Sequence, residues 1–94
     1  MQNLQEYDGF VFEIPDSEIT GSCIDYFFDK DEINTVSKNH PYVPSEFEAI
    51  ARDPGDDLIL RKNDGSIYYL NHENGKIIFL KNNLEEFIGS LEDE

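Results

Sequence analysis

The stretch from residue 56 to 81 constrains the architecture more than any other part of the chain. Three apolar runs, Leu58-Ile59-Leu60, Ile67-Tyr68-Tyr69-Leu70 and Ile77-Ile78-Phe79-Leu80, are separated by Asn63-Asp64-Gly65 and Asn74-Gly75. Asp-Gly and Asn-Gly between β-rich runs signal hairpins, because both accept the positive φ of type I′ turns. The spacing predicts a three-stranded antiparallel meander with strands near 57–62, 66–71 and 76–81. Each run is apolar at both parities, so both faces of the sheet need cover.

One cover is written directly after the meander. Leu84, Phe87, Ile88 and Leu91 fall at helical spacing and predict a helix over 84–91, with Phe87 and Leu91 buried against the sheet. Asn83 is a good N-cap, and Glu86 three residues on completes a capping-box pattern. Glu92-Asp93-Glu94 sits at the negative end of that helix and is expected to fray. In the first half, Phe10–Ile14 reads as a strand stopped by Pro15, and Cys23–Phe28 as a second. Asp29 caps a short helix that must end before Pro41, since proline disfavours helical geometry in the residue before it. Phe47–Ala51 reads as a strand turned into the meander by Asp53-Pro54-Gly55. The fold class is therefore α+β: an antiparallel sheet with a C-terminal meander, packed by a C-terminal helix and one further short helix.

Ninety-four residues make one domain spanning 1–94. Twenty-one acidic residues against seven basic ones leave a net charge of −14. Such a chain lacks the cations that neutralise nucleic-acid phosphates, and anionic membranes repel it. Its macromolecular partner is expected to be basic. The acidity is uneven, with a net of −11 over residues 1–60 and −3 over 61–94. No apolar run approaches the ~18–20 residues of a membrane span. The N-terminus has neither the basic nor the apolar region of a signal peptide. These features read as cytoplasmic.

Catalytic and metal patterns are thin. No Gly-x-Ser-x-Gly elbow and no phosphate-binding Gly-x-x-x-x-Gly-Lys loop is present. His72, at a strand end, is a candidate base, but a histidine beside a hairpin turn is the simpler reading. His40 is expected at a helix C-terminus, and Cys23 as a buried small hydrophobe. Asp53-Pro54-Gly55-Asp56-Asp57 and Asn63-Asp64-Gly65 both fail the alternating-ligand pattern of calcium loops. The reading is no catalytic, cofactor or metal residues.

Ile50-Ala51-Arg52-Asp53-Pro54-Gly55-Asp56-Asp57-Leu58-Ile59-Leu60 resembles the SUKH superfamily, which includes bacterial toxin-immunity proteins and a yeast cell-wall regulator. The similar parts are Ile50, Ala51 and Asp53, then Gly55, Asp57 and Ile59, then Gly65, Tyr68, Tyr69 and the pair His72-Glu73. Leu84, Phe87 and Leu91 match its C-terminal helix, and Val43-Pro44 with Phe47 its entry segment. The resemblance covers residues 43–91, and the chain departs from it by reaching its first strand almost at once. Typical members have a further helical segment there. Its lack predicts bare apolar surface around Phe10, Phe12, Tyr26 and Phe28, and with it a homodimer.

What the resemblance implies is binding without catalysis: an immunity-type protein that neutralises a cognate nuclease- or deaminase-like toxin domain. The alternative is an interaction or oligomerising module of the same fold. Complementary charge steers such encounters. The acids expected to carry the contact are Asp16, Glu18, Asp25, Asp29, Asp31, Glu32, Glu46, Glu48, Asp56 and Asp57. Several lie at connections, where binding residues commonly sit.

Overall fold

The computed structural model describes residues 4–15 and 21–93. A 3-10 turn (Leu4–Tyr7) leads into β1 (Val11–Glu13), β2 (Gly21–Cys23) and β3 (Tyr26–Phe27). Then come α1 (Lys30–Asn39), β4 (Phe47–Arg52), β5 (Leu58–Lys62), β6 (Ile67–Leu70), β7 (Ile77–Lys81) and α2 (Leu84–Ser90). Strands β3 to β7 form one antiparallel sheet in sequence order, and β1 and β2 form a separate hairpin. The architecture is α+β, with the meander and both helices where the sequence places them.

Two apolar clusters lie on the two faces, as the double parity of the meander requires. Phe12, Ile24, Ile59, Ile67, Tyr69, Leu80 and Phe87 form the larger, joined by Ile14, Phe27, Ile50 and Ala51. Phe28, Ala49, Leu58, Leu60 and Leu70 form the smaller, with Ile33 and Val36 of α1 packed on it. The register of β4 against β5 shifts between Ala49 and Ala51. That irregularity lets Ala49 face one cluster while Ile50 and Ala51 face the other.

Local chemistry sets the boundaries. Asp29 accepts from the Glu32 N–H at 2.8 Å, and Glu32 reaches back to the Asp29 N–H, a complete capping box. His40 ends α1 as its C-cap, just before Pro41. Asn83 caps α2 by accepting from Glu86 N–H at 2.8 Å.

Glu86 does not close a capping box on Asn83, because its carboxylate accepts from the Asn82 N–H at 3.3 Å. Five further details differ from the sequence reading. Cys23–Phe28 is not one strand, because its hydrogen-bond partners change midway. Ile24 N–H donates to Phe10, whereas Asp25 N–H donates to Arg52, both at 2.8 Å. The chain thus leaves the hairpin for the main sheet between those residues. The turns are not type I′ either, since only Gly65 (φ 96°) and Gly75 (φ 76°) are left-handed while Asp64 and Asn74 are not. A Gly65 N–H to Lys62 carbonyl bond (2.8 Å) closes the first, and a Gly75 N–H to Asn71 carbonyl bond (2.8 Å) the second. Leu91 is half-buried, since α2 stops one residue earlier and uses it as the C-cap. The segment after α2 does not fray at Glu92, which exchanges two backbone hydrogen bonds with Val11 (2.8 and 2.9 Å). Finally, the surface expected to be bare is covered by the chain itself: Phe12 is 2% exposed and Phe28 8%, and Phe10 and Tyr26 are half-buried.

Gly75 has a conformational and a steric reason to be glycine. Besides its left-handed φ, an added Cβ would lie 2.8 Å from the Tyr42 ring. Gly75→Ala is expected to cost about 1–2 kcal/mol, mainly from the left-handed backbone. Gly89, in α2 with open space around it, should behave oppositely, gaining up to about 1 kcal/mol as alanine. Paired urea denaturation of the two variants checks both signs.

Candidate functional site: a depression backed by a buried carboxylate network

The link from β4 to β5 organises one end of the molecule. Asp53 is 3% exposed, yet its carboxylate is fully engaged. One oxygen accepts from the N–H groups of Gly55 (2.9 Å) and Asp57 (3.0 Å), which folds the turn on itself. The other accepts from the Ser22 hydroxyl (2.9 Å) and lies 3.1 Å from the Tyr69 hydroxyl, whose single proton is shared between Asp53 and the nearer Asp57; these contacts tie the turn to β2 and β6. Asp57 completes the network. It accepts from the Tyr69 hydroxyl, from His72 N–H at 2.9 Å and from the His72 ring Nδ1 at 2.6 Å. Thus Asp57, expected as a partner-contacting acid, is turned inward and holds the end of β6.

These contacts shift protonation. Burial is the largest influence on Tyr69 and, with the adjoining carboxylates, pushes its hydroxyl well above the ordinary range. Burial raises Asp57, but the bonds from Tyr69 and His72 outweigh it and hold the carboxyl below 3.8. The bond to Asp57 raises His72 above its ordinary 6.5, helped by the charges of Asp57, Glu73 and Asp56. A raised folded pKa makes the His72 contribution complete below 6.5 and loses it as pH climbs through the raised value. A lowered one makes the Asp57 contribution complete above 3.8 and loses it as pH falls through the lowered value. Both are therefore present together between 3.8 and 6.5. His72→Gln should flatten the alkaline-side decline of the urea midpoint. An unchanged decline in the variant would mean that another group causes it.

The exposed side of this network is a depression of about 280 Å³ between α1, β3 and the β4–β5 turn. Tyr26, Phe28, Val36 and Leu58 give it apolar walls, and Glu32, Asp56, Arg52, His40 and His72 its polar ones. Arg52 pairs with Asp25 (3.1 Å) and Asp56 (2.5 Å) and lies 5.9 Å from the Tyr26 ring centroid. The Tyr26 hydroxyl donates to Glu32 at 3.3 Å. Asp56 is held in place by a left-handed backbone (φ 70°).

The ten predicted acids therefore separate. Glu32 and Asp56 line the depression, Asp25 is tied to it through Arg52, and Asp57 lies behind it. Asp29 and Asp31 stand at the start of α1, Asp29 as its cap and Asp31 exposed. Glu46 and Glu48 line a different hollow of about 460 Å³, where Glu48 pairs with Arg61 at 3.2 Å. Asp16 and Glu18 lie outside the described residues. Cys23 is half-buried rather than buried. It lines a third hollow, of about 480 Å³, with Ser22, Asp53 and Tyr69, because β2 ends where the chain changes sheets.

Sequence reasoning missed Asp53, Tyr69, Ser22 and Arg52. Asp53-Pro54-Gly55 was a usable signal, since aspartate before such a turn commonly accepts from backbone two residues on. The partners Ser22 and Tyr69 are 31 and 16 residues away and carry no local signature. The hydroxyls of Ser22, Ser66 and Ser90 donate to Asp53, Asp64 and the Phe87 carbonyl. Among the described residues, no three His, Cys, Asp or Glu side chains are grouped to hold a metal ion, and no helix is long and apolar enough to cross a membrane. Comparison with known protein families, characterised proteins and solved structures finds no match to this chain.

Proposed function

We propose that this chain is an immunity-type protein of the SUKH kind, which binds a basic toxin domain in the cytoplasm and neutralises it stoichiometrically. One observation carries the reading: Glu32 and Asp56 line a depression with aromatic and aliphatic walls, joined by Asp25 through its pair with Arg52, over a network that pins the turn bearing Asp56. Fixed carboxylates around apolar surface suit a lysine- or arginine-rich face, because the charges steer the encounter and the apolar walls add burial. The resemblance over residues 43–91 supports the same reading and names the class of partner.

The test is kinetic. Association with the cognate domain should slow steeply as ionic strength rises, because exposed charges are screened beyond ~8 Å at physiological salt. Toxin activity should fall to zero at one equivalent of this protein. Association rates indifferent to salt would show that the acidity is not the recognition element.

A further inference from the structure

The main sheet is closed at one edge and open at the other. At the β3 end, the 3-10 turn packs alongside, and Gly9 N–H donates to the Ile24 carbonyl at 2.6 Å. β7 is last in the strand order, so its outer side has no strand neighbour among the described residues. The Lys76 carbonyl accepts from Asn71 N–H at 2.9 Å, and Ile78 pairs with Tyr69. Lys76 and Ile78 therefore direct their backbone groups towards β6. Alternate residues of an antiparallel strand point the opposite way, so Ile77 and Phe79 present N–H and C=O outward.

The side chains make this edge distinctive. Phe79 is 46% exposed. It ends an aromatic row across the sheet, with ring centroids 5.1 Å apart for Phe47 and Tyr68 and 5.5 Å for Tyr68 and Phe79. The segment Lys76-Ile77-Ile78-Phe79-Leu80-Lys81 holds two cations and no acid, in a chain of net charge −14.

We propose that β7 pairs with β7 of a second copy, antiparallel about a two-fold axis at Ile78, joining two five-stranded sheets into one. The outward backbone groups set this register. Ile77 of one copy meets Phe79 of the other in a hydrogen-bonded pair, twice, and Ile78 faces its own twin. The register of β7 shifts at Leu80, so the regular pairing spans Ile77 to Phe79 and the two lysines flank it. Charge selects this surface for self-association: two molecules of −14 repel each other broadly, and this edge is a place where they approach without juxtaposed acids. The contact is isologous and closes at two copies. A single strand pair lies below the ~1,200 Å² at which stable interfaces begin, so the dimer is weak.

Sedimentation velocity of the full chain under reducing conditions, from low micromolar to near millimolar, tests this. The expected result is a reversible monomer–dimer equilibrium that strengthens as salt screens the repulsion, opposite in sign to the toxin-binding test. Phe79→Lys should remain monomeric with an unchanged circular dichroism spectrum. Ile78→Cys in a Cys23→Ser background should oxidise to a covalent dimer, which keeps the test open if Phe79→Lys misfolds. A monomer at all concentrations, or a dimer that forms in Phe79→Lys, would overturn the proposal. So would an edge that pairs only with a strand from another protein.

Discussion

Phe87→Ala is expected to bring the protein close to unfolding. Phe87 is 1% exposed and its ring packs on the Phe12 ring, at a centroid distance of 5.7 Å. It joins the hairpin, the C-terminal helix and the β6–β7 face of the sheet in one cluster. Removing a buried phenyl ring costs about 3–5 kcal/mol, because the lost transfer energy is compounded by the cavity left behind. Domains of this size have ~5–15 kcal/mol in total. The urea midpoint should fall by at least about 1 M. A midpoint within error of the parent would mean that the surrounding cluster does not depend on this ring.

Asp53→Ala should have the next largest effect, for a different reason. No apolar contact of consequence is lost. Three donors instead lose their shared acceptor: the N–H groups of Gly55 and Asp57 and the hydroxyl of Ser22. Tyr69 keeps Asp57, and Gly55 is exposed enough to reach water. The remaining unsatisfied groups set the cost at about 2–4 kcal/mol. Asp53→Asn separates the causes. Its amide oxygen still accepts from the turn, while its NH₂ donates towards Ser22 and Tyr69, so about 1 kcal/mol is expected. Equal losses for both variants in urea denaturation would show that the negative charge, not acceptor geometry, is what matters there.

The two predictions mark the line between what local pattern encodes and what it does not. Phe87 was legible because its neighbours Leu84 and Ile88 repeat at helical spacing, and the meander was legible because glycines punctuate continuous β-rich apolar runs. The break at Ile24-Asp25 was not, because it arises from a change of hydrogen-bonding partner from Phe10 to Arg52. Those residues lie far apart in sequence, and the apolar run gives no sign of it. The same holds for the site. The acids of Asp53–Asp57 were visible as a charged turn. Which of them faces inward was decided by Tyr69 and His72, which reach the turn only through strand register. Leu91 followed the apolar stripe but lost full burial when the helix stopped at Ser90. Glu92 looked like a fraying end until Val11 supplied a strand for it to bridge.

The central claim is that Asp25, Glu32 and Asp56 form the recognition surface for a basic protein. It is tested most directly by measuring the affinity of the cognate toxin domain for the parent and for a variant carrying Asp25→Asn and Asp56→Asn. These substitutions keep the capping box of α1, and asparagine tolerates the left-handed backbone of residue 56. With the fold verified by circular dichroism, the account predicts at least a tenfold loss of affinity, about 1.4 kcal/mol, expressed mainly in the association rate and vanishing at high salt. Equal affinity and equal salt dependence for the two proteins would contradict it.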